Sequence, residues 1–523
     1  MSRSPLVLTA AAGATAVGFS APLAYLLWRA LSQPGPIVNR WLAAETAGAL
    51  GRSLLLATTV TLATVVLGTA LAWIVARTDT PGRRVWELLL PLPLVVPSFI
   101  GAFALLAAFA PGGLLDRALA GLGLPGPGEL RGFPGAFAVL TLFTYPYVFL
   151  PVVARLRQLP ASHEESARLL GRSSMATFFT VVLPQTRGAV LAGGLLVFLY
   201  TISDFGAVQL LRYDTLTRTI YAARVFDRTG ALAASLLLGL LAVAVVGLER
   251  RASRSSRAAT PASGARHLTL ALGRWRPVVL ALLIGVLGLA LLGPVATLGY
   301  WALRGVGDGG GTELAGLVVP ATATVIVSVL AALSATFAVL PVAYLTVRHR
   351  SRLSGTVNAV VVGGFALPGL VIALAMVFFT LRAPSALAAL YQTVPLLIVA
   401  YVVHFGAQAL RAAQVAVAGV PPRVHDAARM LGAGRLRRLL AVDLPLALPG
   451  LLAGAGLVLL STMKELPATL LLSPLGFETL ATRIWTSAEE AFWADASVAA
   501  LVLLALSALL TWLLVIRRAD ALE

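Results

Sequence analysis

The feature that most constrains this chain is a series of long stretches without any Asp, Glu, Lys or Arg. A helix needs about 20 mostly apolar residues to cross the hydrocarbon core of a bilayer. The stretches predict spans within 4–28, 53–76, 88–115, 132–154, 188–203, 231–248, 277–303, 314–347, 353–381, 383–410, 446–463 and 497–516. They are continuously apolar rather than alternating, which excludes membrane β-strands. The sequence therefore predicts an all-α integral membrane protein with about twelve transmembrane helices in two sets of six.

Composition supports the bilayer as the solvent of this chain. Hydrophobic residues make up 59% of its 523 residues and charged residues 12%, against roughly 45–50% and about 25% in soluble chains. A soluble enzyme, a disordered chain and a nucleic-acid-binding domain are excluded. The chain has no cysteine, and its five histidines are scattered. We therefore expect no catalytic residue, no metal site and no nucleic-acid partner.

The distribution of positive charge predicts an orientation. The net charge is +18, and an even number of spans places both termini on one side. If that side is the cytoplasm, about two thirds of the 40 Lys and Arg residues lie in inside loops, as the positive-inside rule requires. We expect a multi-pass protein with both termini in the cytoplasm. The first uncharged stretch is interpreted as a retained span, because it is long for a signal peptide.

An internal repeat divides the chain into two halves. Residues 165–184 read ESARLLGRSSMATFFTVVLP, and residues 426–445 read DAARMLGAGRLRRLLAVDLP, with a constant offset of 261. Earlier spans align at an offset of 271, as Arg77 does with Arg348. Two matches at the same topological place indicate a duplication. The predicted domains are 1–248 and 276–523, joined by a basic linker of small residues, 249–275, which we interpret as a flexible tether.

Each repeated segment lies between the fourth and fifth spans of its half and predicts a helix–turn–helix at the cytoplasmic face. Glu165 and Asp426 are expected near a helix start, where a carboxylate favours the helix dipole. Gly171 and Gly432 suit a turn that needs an unusual backbone angle. The Leu-Pro pairs, Leu183-Pro184 and Leu444-Pro445, are expected to begin the next membrane helix. The alternative, two amphipathic loops lying on lipid, explains neither the spacing nor the repetition.

The repeated pattern resembles the EAA loop of permease subunits in ATP-binding-cassette (ABC) importers. The resemblance implies a type I ABC importer permease fold, in which the loop forms a coupling helix that fits a groove on a separate ATPase subunit. The matching residues are Glu165, Ser166, Ala167, Gly171, Leu183 and Pro184 in the first copy, and Asp426, Ala427, Ala428, Gly432, Leu444 and Pro445 in the second. Ser166 and Asp426 depart from the family pattern but keep small size and negative charge.

Two loops in one chain imply a fused permease that works with two copies of a cytoplasmic ATPase and an extracytoplasmic solute-binding protein. Lys464 is the only lysine, and Met463 and Glu465 flank it. The chain therefore lacks a phosphate-binding P-loop. We expect no cofactor on this chain, with ATP and Mg²⁺ bound by the partner ATPase subunits, and a location in the inner membrane of a bacterium.

A second matched pair follows the fifth and eleventh spans. Asp204 and Phe205 align with Glu465 and Leu466, and Lys464 precedes Glu465. Charged groups at the end of a span are candidates for a transport pathway or gate. The alternative is that they pair locally at the membrane interface. We name Asp204, Phe205, Lys464 and Glu465 as possible gate or pathway residues.

The segment from Lys464 to Arg483 is similar to fused ferric-iron permeases that work with a periplasmic iron-binding protein. This resemblance implies ferric iron as the substrate, while thiamine, polyamine, sulfate or phosphonate stay open because related permeases share the architecture. The rival class is a major-facilitator-type secondary transporter, which also has twelve spans in two halves. That rival predicts no EAA repeat between the fourth and fifth spans.

Overall fold

The computed structural model describes residues 6–126, 128–256, 269–307, 314–364 and 366–513. Within these ranges the chain is helical and forms no β-strand, only one isolated bridge between Thr78 and Leu270. Eleven helices are long and apolar enough to cross a membrane, and a twelfth candidate is a pair of helices bent by 99°. The predicted all-α class and the number of spans are confirmed.

The helices of the first part of the chain are α1 (Leu6–Ser32), α2 (Pro34–Leu42), α3 (Ala44–Arg77), α4 (Arg83–Leu89), α5 (Ser98–Phe109), α6 (Leu114–Ala120), α7 (Gly132–Thr144), α8 (Pro146–Gln158), α9 (Ala161–Leu169), α10 (Ser174–Thr177), α11 (Leu183–Ser203), α12 (Gly206–Leu210), α13 (Leu216–Phe226) and α14 (Arg228–Ser256). Those of the second part are α15 (Arg276–Leu287), α16 (Gly293–Gly307), α17 (Val318–Arg348), α18 (Arg352–Gly364), α19 (Gly369–Thr380), α20 (Ser385–Ala388), α21 (Val394–Gly419), α22 (Pro422–Met430), α23 (Arg435–Arg438), α24 (Leu444–Met463), α25 (Pro467–Leu472), α26 (Leu480–Glu489) and α27 (Trp493–Thr511).

Short segments of other helix types complete these elements. The 3₁₀ segments are Leu92–Val95, Gly273–Trp275 and Leu314–Leu317, and the π-helical segments are Phe178–Val182, Gly288–Leu292 and Leu439–Asp443. The fifth candidate span therefore runs over Phe178–Ser203. It is longer than the uncharged window 188–203, because a membrane helix tolerates polar residues where it reaches the interface. Its end at Ser203 agrees with the expectation that it stops close to Asp204.

The chain forms two compact units that do not coincide with the predicted halves. Unit 1 contains the described residues of 1–42, 220–239 and 309–523, and unit 2 those of 43–219 and 240–308. The first span of each half packs into the unit that the other half mainly builds. Thus α1 packs against α17, α18 and α19 in unit 1, and α16 packs against α5 in unit 2.

The first spans of the two halves donate hydrogen bonds to backbone carbonyls that have no partner within their own short helices. Helices α5 and α19 each have 12 residues, of which eight and eleven are buried. The last four carbonyls of any helix lack intrahelical partners. In unit 2, Trp301 Nε1 of α16 donates to the carbonyl of Ala107, at 2.9 Å. In unit 1, the Tyr25 hydroxyl of α1 donates to the carbonyl of Phe378, also at 2.9 Å. Ala107 and Phe378 are repeat equivalents at the offset of 271, so both units stabilise the same position of the short helix.

The predicted linker is in part an ordered element. Helix α14 continues to Ser256, so the first residues of 249–275 are helical, and residues 257–268 lie outside the described residues. The linker's end is tied into unit 2. The Leu270 amide donates to the Arg77 carbonyl at 2.8 Å, and the Asp79 amide donates to the Leu270 carbonyl at 3.0 Å.

Candidate functional site

The two repeated loops have the same backbone geometry. Helix α9 ends at Leu169, two residues before Gly171, which has φ +81°. Helix α22 ends at Met430, two residues before Gly432, which has φ +77°. In the first loop the Arg172 amide donates to the carbonyl of Ala167, and in the second the Ala433 amide donates to Ala428. This pattern is a Schellman motif, which satisfies the last carbonyls of a helix and needs a left-handed residue.

The glycines are required for their backbone angle rather than for space. A Cβ built on Gly171 or Gly432 would meet no atom within 4 Å. A residue with a side chain would nevertheless be strained, because L-residues rarely adopt positive φ. The predicted turn with an unusual backbone angle is therefore present in both loops.

The signature carboxylates lie on the exposed side of each loop. Glu165 and Asp426 are exposed, and each is the fifth of nine residues in its helix. The expectation that they stand at a helix start is therefore wrong, because they lie beyond the first turn. Of the other motif residues, Ser166 and Ala427 are exposed, Ala167 is buried and Ala428 is half-buried.

A pair of apolar side chains beside each carboxylate is missing from the sequence prediction. Leu169 and Leu170 are 89% and 83% exposed, and their repeat equivalents Met430 and Leu431 are 90% and 88% exposed. Both pairs immediately precede the left-handed glycine. Large apolar residues this exposed are a mark of an interaction surface when they recur together. We call these four residues the loop tips.

The end of α3 anchors the first loop through a buried ion pair that the sequence did not reveal. Arg77 Nη2 lies 3.0 Å from Glu164 Oε1, and both side chains are almost inaccessible to solvent. The same Nη2 donates to the carbonyls of Leu156 at 2.9 Å and Leu159 at 3.3 Å. Burial raises the pKa of Glu164, and the positive charges of Arg77 and then Arg168 oppose that rise. The available signal was the alignment of Arg77 with Arg348.

The loops lead into the membrane through equivalent π-helical segments. Phe178–Val182 and Leu439–Asp443 are repeat equivalents, and each runs directly into a helix that begins with Leu-Pro. Helices α11 and α24 begin at Leu183 and Leu444, with Pro184 and Pro445 in their first turns. Proline has no amide hydrogen to donate and crowds the carbonyl four residues earlier. A π-turn relieves this crowding, and such turns are frequent at functional sites.

Asp204 caps a break at the end of α11 in unit 2. Its Oδ1 accepts hydrogen bonds from the amides of Ala207 at 3.0 Å and Val208 at 3.3 Å, which belong to the short helix α12. Its Oδ2 accepts a hydrogen bond from the Ser98 hydroxyl at the start of α5. A carboxylate that accepts amides at a helix N-terminus is a stabilising cap. Phe205, between the two helices, is buried.

Glu465 makes the equivalent cap at the end of α24 in unit 1. Its Oε2 accepts hydrogen bonds from the amides of Ala468 at 3.0 Å and Thr469 at 3.2 Å in α25. The Thr469 hydroxyl lies 2.6 Å from the hydroxyl of Tyr401. In the parts of the chain that the structure describes, neither Asp204 nor Glu465 forms an ion pair. Lys464 is half-buried at the end of α24.

The described ranges contain no group of three or more His, Cys, Asp or Glu side chains placed to hold a metal ion. Each unit therefore contains two candidate functional features. The first is an exposed loop with a left-handed glycine and two exposed apolar side chains. The second is a buried carboxylate that caps the short helix following α11 or α24.

The sequence is similar to those of known proteins. The chain matches the family described as "Binding-protein-dependent transport system inner membrane component" over residues 7–257 and 339–519. It is 29% identical over 480 residues to the Fe(3+)-transport system permease protein FbpB 2 of Haemophilus influenzae, covering 89% of each chain. It is 34% identical over 192 residues to the molybdenum transport system permease protein ModB of Mycobacterium bovis, covering 35% of this chain and 70% of that protein.

A third relative is the sulfate transport system permease protein CysT of Salmonella typhimurium, which is 32% identical over 143 residues, or 27% of this chain and 50% of that protein. The family match covers most of both halves. Two matched segments agree with the duplication inferred from the repeat. The chain therefore belongs to the family of inner membrane components of binding-protein-dependent transport systems.

Proposed function

We propose that this chain is the complete membrane pathway of an ATP-driven importer, with both halves of the permease fused in one polypeptide. The repeated loops dock two copies of a separate cytoplasmic ATPase, one on each loop. A loaded solute-binding protein engages the opposite side of the membrane. Both termini and both loops lie in the cytoplasm, in agreement with the distribution of positive charge. ATP and Mg²⁺ act on the partner subunits.

The observation that carries this proposal is the twin loop geometry. Each loop combines a left-handed glycine, an exposed carboxylate and two exposed large apolar residues in the same order. Exposed apolar side chains at a rigid turn fit a groove on a protein partner, because burying them removes apolar surface from water. The carboxylate beside them selects a groove with positive charge.

The docking proposal is tested with the loop tip of unit 1 and a matched control. Leu431 and Leu475 are both 88% exposed, but Leu475 lies outside the repeated loop. We expect Leu431→Asp to weaken binding of the cognate ATPase to the purified permease by at least tenfold, and Leu475→Asp to leave it unchanged. Co-purification and stimulated ATP hydrolysis are the readouts. Equal effects of the two changes would contradict docking through the loop.

Ferric iron is the proposed substrate. The relative that spans 89% of both chains is named as an Fe(3+) permease, whereas the molybdenum and sulfate permeases align with about a third of this chain or less. Uptake by proteoliposomes containing the permease, its ATPase and its binding protein tests this proposal. We expect ATP-dependent accumulation of radioactive Fe³⁺ but not of molybdate or sulfate. Uptake of either oxyanion instead would assign the chain to that substrate.

A further inference from the structure

Three arginines surround a cavity in unit 1 that neither the loops nor the buried carboxylates use. The cavity is partly open to its surroundings and is lined by Arg29, Gln33, Ile37, Arg228, Thr229, Leu232, Phe378 and Arg382. Its apolar wall is formed by Ile37, Leu232 and Phe378, all of which are buried. Its polar wall carries three guanidinium groups, an amide and a hydroxyl. This combination is unusual because like charges repel unless an anion lies between them.

A hydrogen bond between α1 and α19 lies close in the chain to two of the arginines. The Tyr25 hydroxyl of α1 donates to the Phe378 carbonyl of α19 at 2.9 Å. Arg29 lies four residues after Tyr25, one turn further along α1, and Arg382 lies two residues beyond the end of α19. The third arginine, Arg228, is the first residue of α14. Three separate elements therefore bring their positive charges to one cavity.

These charges lack a protein counterion. Among the described residues, Arg29, Arg228 and Arg382 form no ion pair, and the buried Arg29 Nε has no hydrogen-bond partner. Asp227, next to Arg228, is already engaged: its carboxylate lies 3.0 Å from Arg40 Nη2 and accepts the Gly230 amide at 3.0 Å. An arginine stays charged at every accessible pH. The three guanidinium groups of the cavity are therefore not neutralised by any carboxylate among the described residues.

The cavity lies at the membrane surface opposite the coupling loop of unit 1. Helix α21 has 26 residues, about 39 Å of helix, and its last residue leads into α22 of that loop. Its first residue therefore lies at the other surface, and Arg382 is in the connection that leads to it from α19. Beside Arg29, Trp28 is 60% exposed. An exposed tryptophan at the end of a span is typical of the level of lipid headgroups.

We propose that this cavity is a binding site for a phosphate group, held by the guanidinium groups of Arg29, Arg228 and Arg382. Guanidinium groups match the oxygens of phosphate in pairs, and Gln33 and Thr229 supply further donors. The apolar wall suits the glycerol and first methylene groups of a lipid. Two sources share this chemistry, the headgroup of an anionic phospholipid and free inorganic phosphate.

Binding is tested on the purified full chain, without the ATPase or the binding protein, so failure of the transport proposal would not affect the result. Native mass spectrometry counts retained phosphatidylglycerol. Arg228 and Arg382 are exposed, so Arg228→Gln with Arg382→Gln is expected to leave the fold intact. We expect this pair to weaken phosphatidylglycerol binding at least tenfold. The control pair, Arg117→Gln with Arg212→Gln, removes two exposed charges elsewhere and should have no effect.

Competition with inorganic phosphate distinguishes a lipid headgroup from the free anion as the ligand. If millimolar inorganic phosphate displaces phosphatidylglycerol, the site takes the free anion as well, and if it does not, the lipid is the ligand. Both outcomes support a phosphate site. Changing both residues to Lys should restore part of the affinity, because lysine keeps the charge but loses the paired geometry. Equal retention of dioleoylglycerol, which has no phosphate, would overturn the proposal. So would unchanged lipid binding in the Gln pair.

Discussion

The repeated loops of the two units share a scaffold but differ in one charge. Arg77 in unit 2 and Arg348 in unit 1 are repeat equivalents, and each donates to two carbonyls at the end of the neighbouring span. In unit 2, Glu164 adds a buried ion pair. The equivalent position in unit 1 is His425 in the sequence, and Arg348 forms no ion pair among the described residues. The carbonyl contacts therefore define the common anchor, and the carboxylate is an addition in one unit.

The two buried capping carboxylates differ in length, and the residue facing each one differs in size in the opposite sense. In unit 2, Asp204 meets the hydroxyl of Ser98 at the start of α5. In unit 1, the longer Glu465 faces Gly369 at the start of α19, and a Cβ on that glycine would lie 2.6 Å from Glu465 Oε1. The extra methylene of glutamate occupies the space that a serine side chain would need. The duplicated sites thus conserve filled volume and capped amides rather than residue types.

The largest effect is expected from Glu164→Gln, which removes from the first loop the carboxylate that the second loop also lacks at the equivalent position. The change leaves the buried Arg77 charge without a carboxylate, and breaking a buried ion pair costs about 3–5 kcal/mol. We expect the free energy of unfolding of the purified protein to fall by about that amount, measured by denaturant titration in detergent. Glu165→Gln is the matched control, because that neighbour is exposed. Equal stability of the two variants would show that the ion pair contributes little.

A smaller effect is expected from Gly369→Ser, which gives unit 1 the serine of unit 2. The new side chain would overlap Glu465, and such overpacking typically costs about 1–3 kcal/mol. Adding Glu465→Asp removes the overlap and rebuilds the Ser–Asp pair of unit 2, so the double variant should recover most of the lost stability. Thermal unfolding of the two single variants and the double variant gives the coupling energy. Additive effects would contradict reciprocal packing.

The smallest effect is expected from His425→Glu, which offers Arg348 a carboxylate. Arg348 is half-buried rather than fully buried, so the gain should resemble that of a partly exposed ion pair, about 0.5–1 kcal/mol. The gain should vanish in an Arg348→Met background and should be absent in His425→Gln. Denaturant titration of the four proteins measures it. A gain that persists without Arg348 would mean that the glutamate acts elsewhere.

Much of the arrangement is readable from the sequence because it is local. Uncharged stretches, the left-handed glycines and the Leu-Pro starts each depend on residues close together in the chain, and the 261-residue offset compares one local pattern with its copy. The family membership and the twelve-span architecture follow from them and are confirmed. The search for uncharged residues fails where Arg187 lies inside the helix that continues from 178, because a charged residue near a span end is not a helix end.

Tertiary structure alone decided which of two adjacent carboxylates is buried, Glu164 rather than Glu165, since only the position of α3 distinguishes them. It also decided that the first span of each half completes the other unit, and that three arginines from distant segments meet at one cavity. The sequence by itself determined the helices, the duplication and the two loops. Contacts between residues hundreds of positions apart have no periodic signature, because they depend on which helix faces meet after folding.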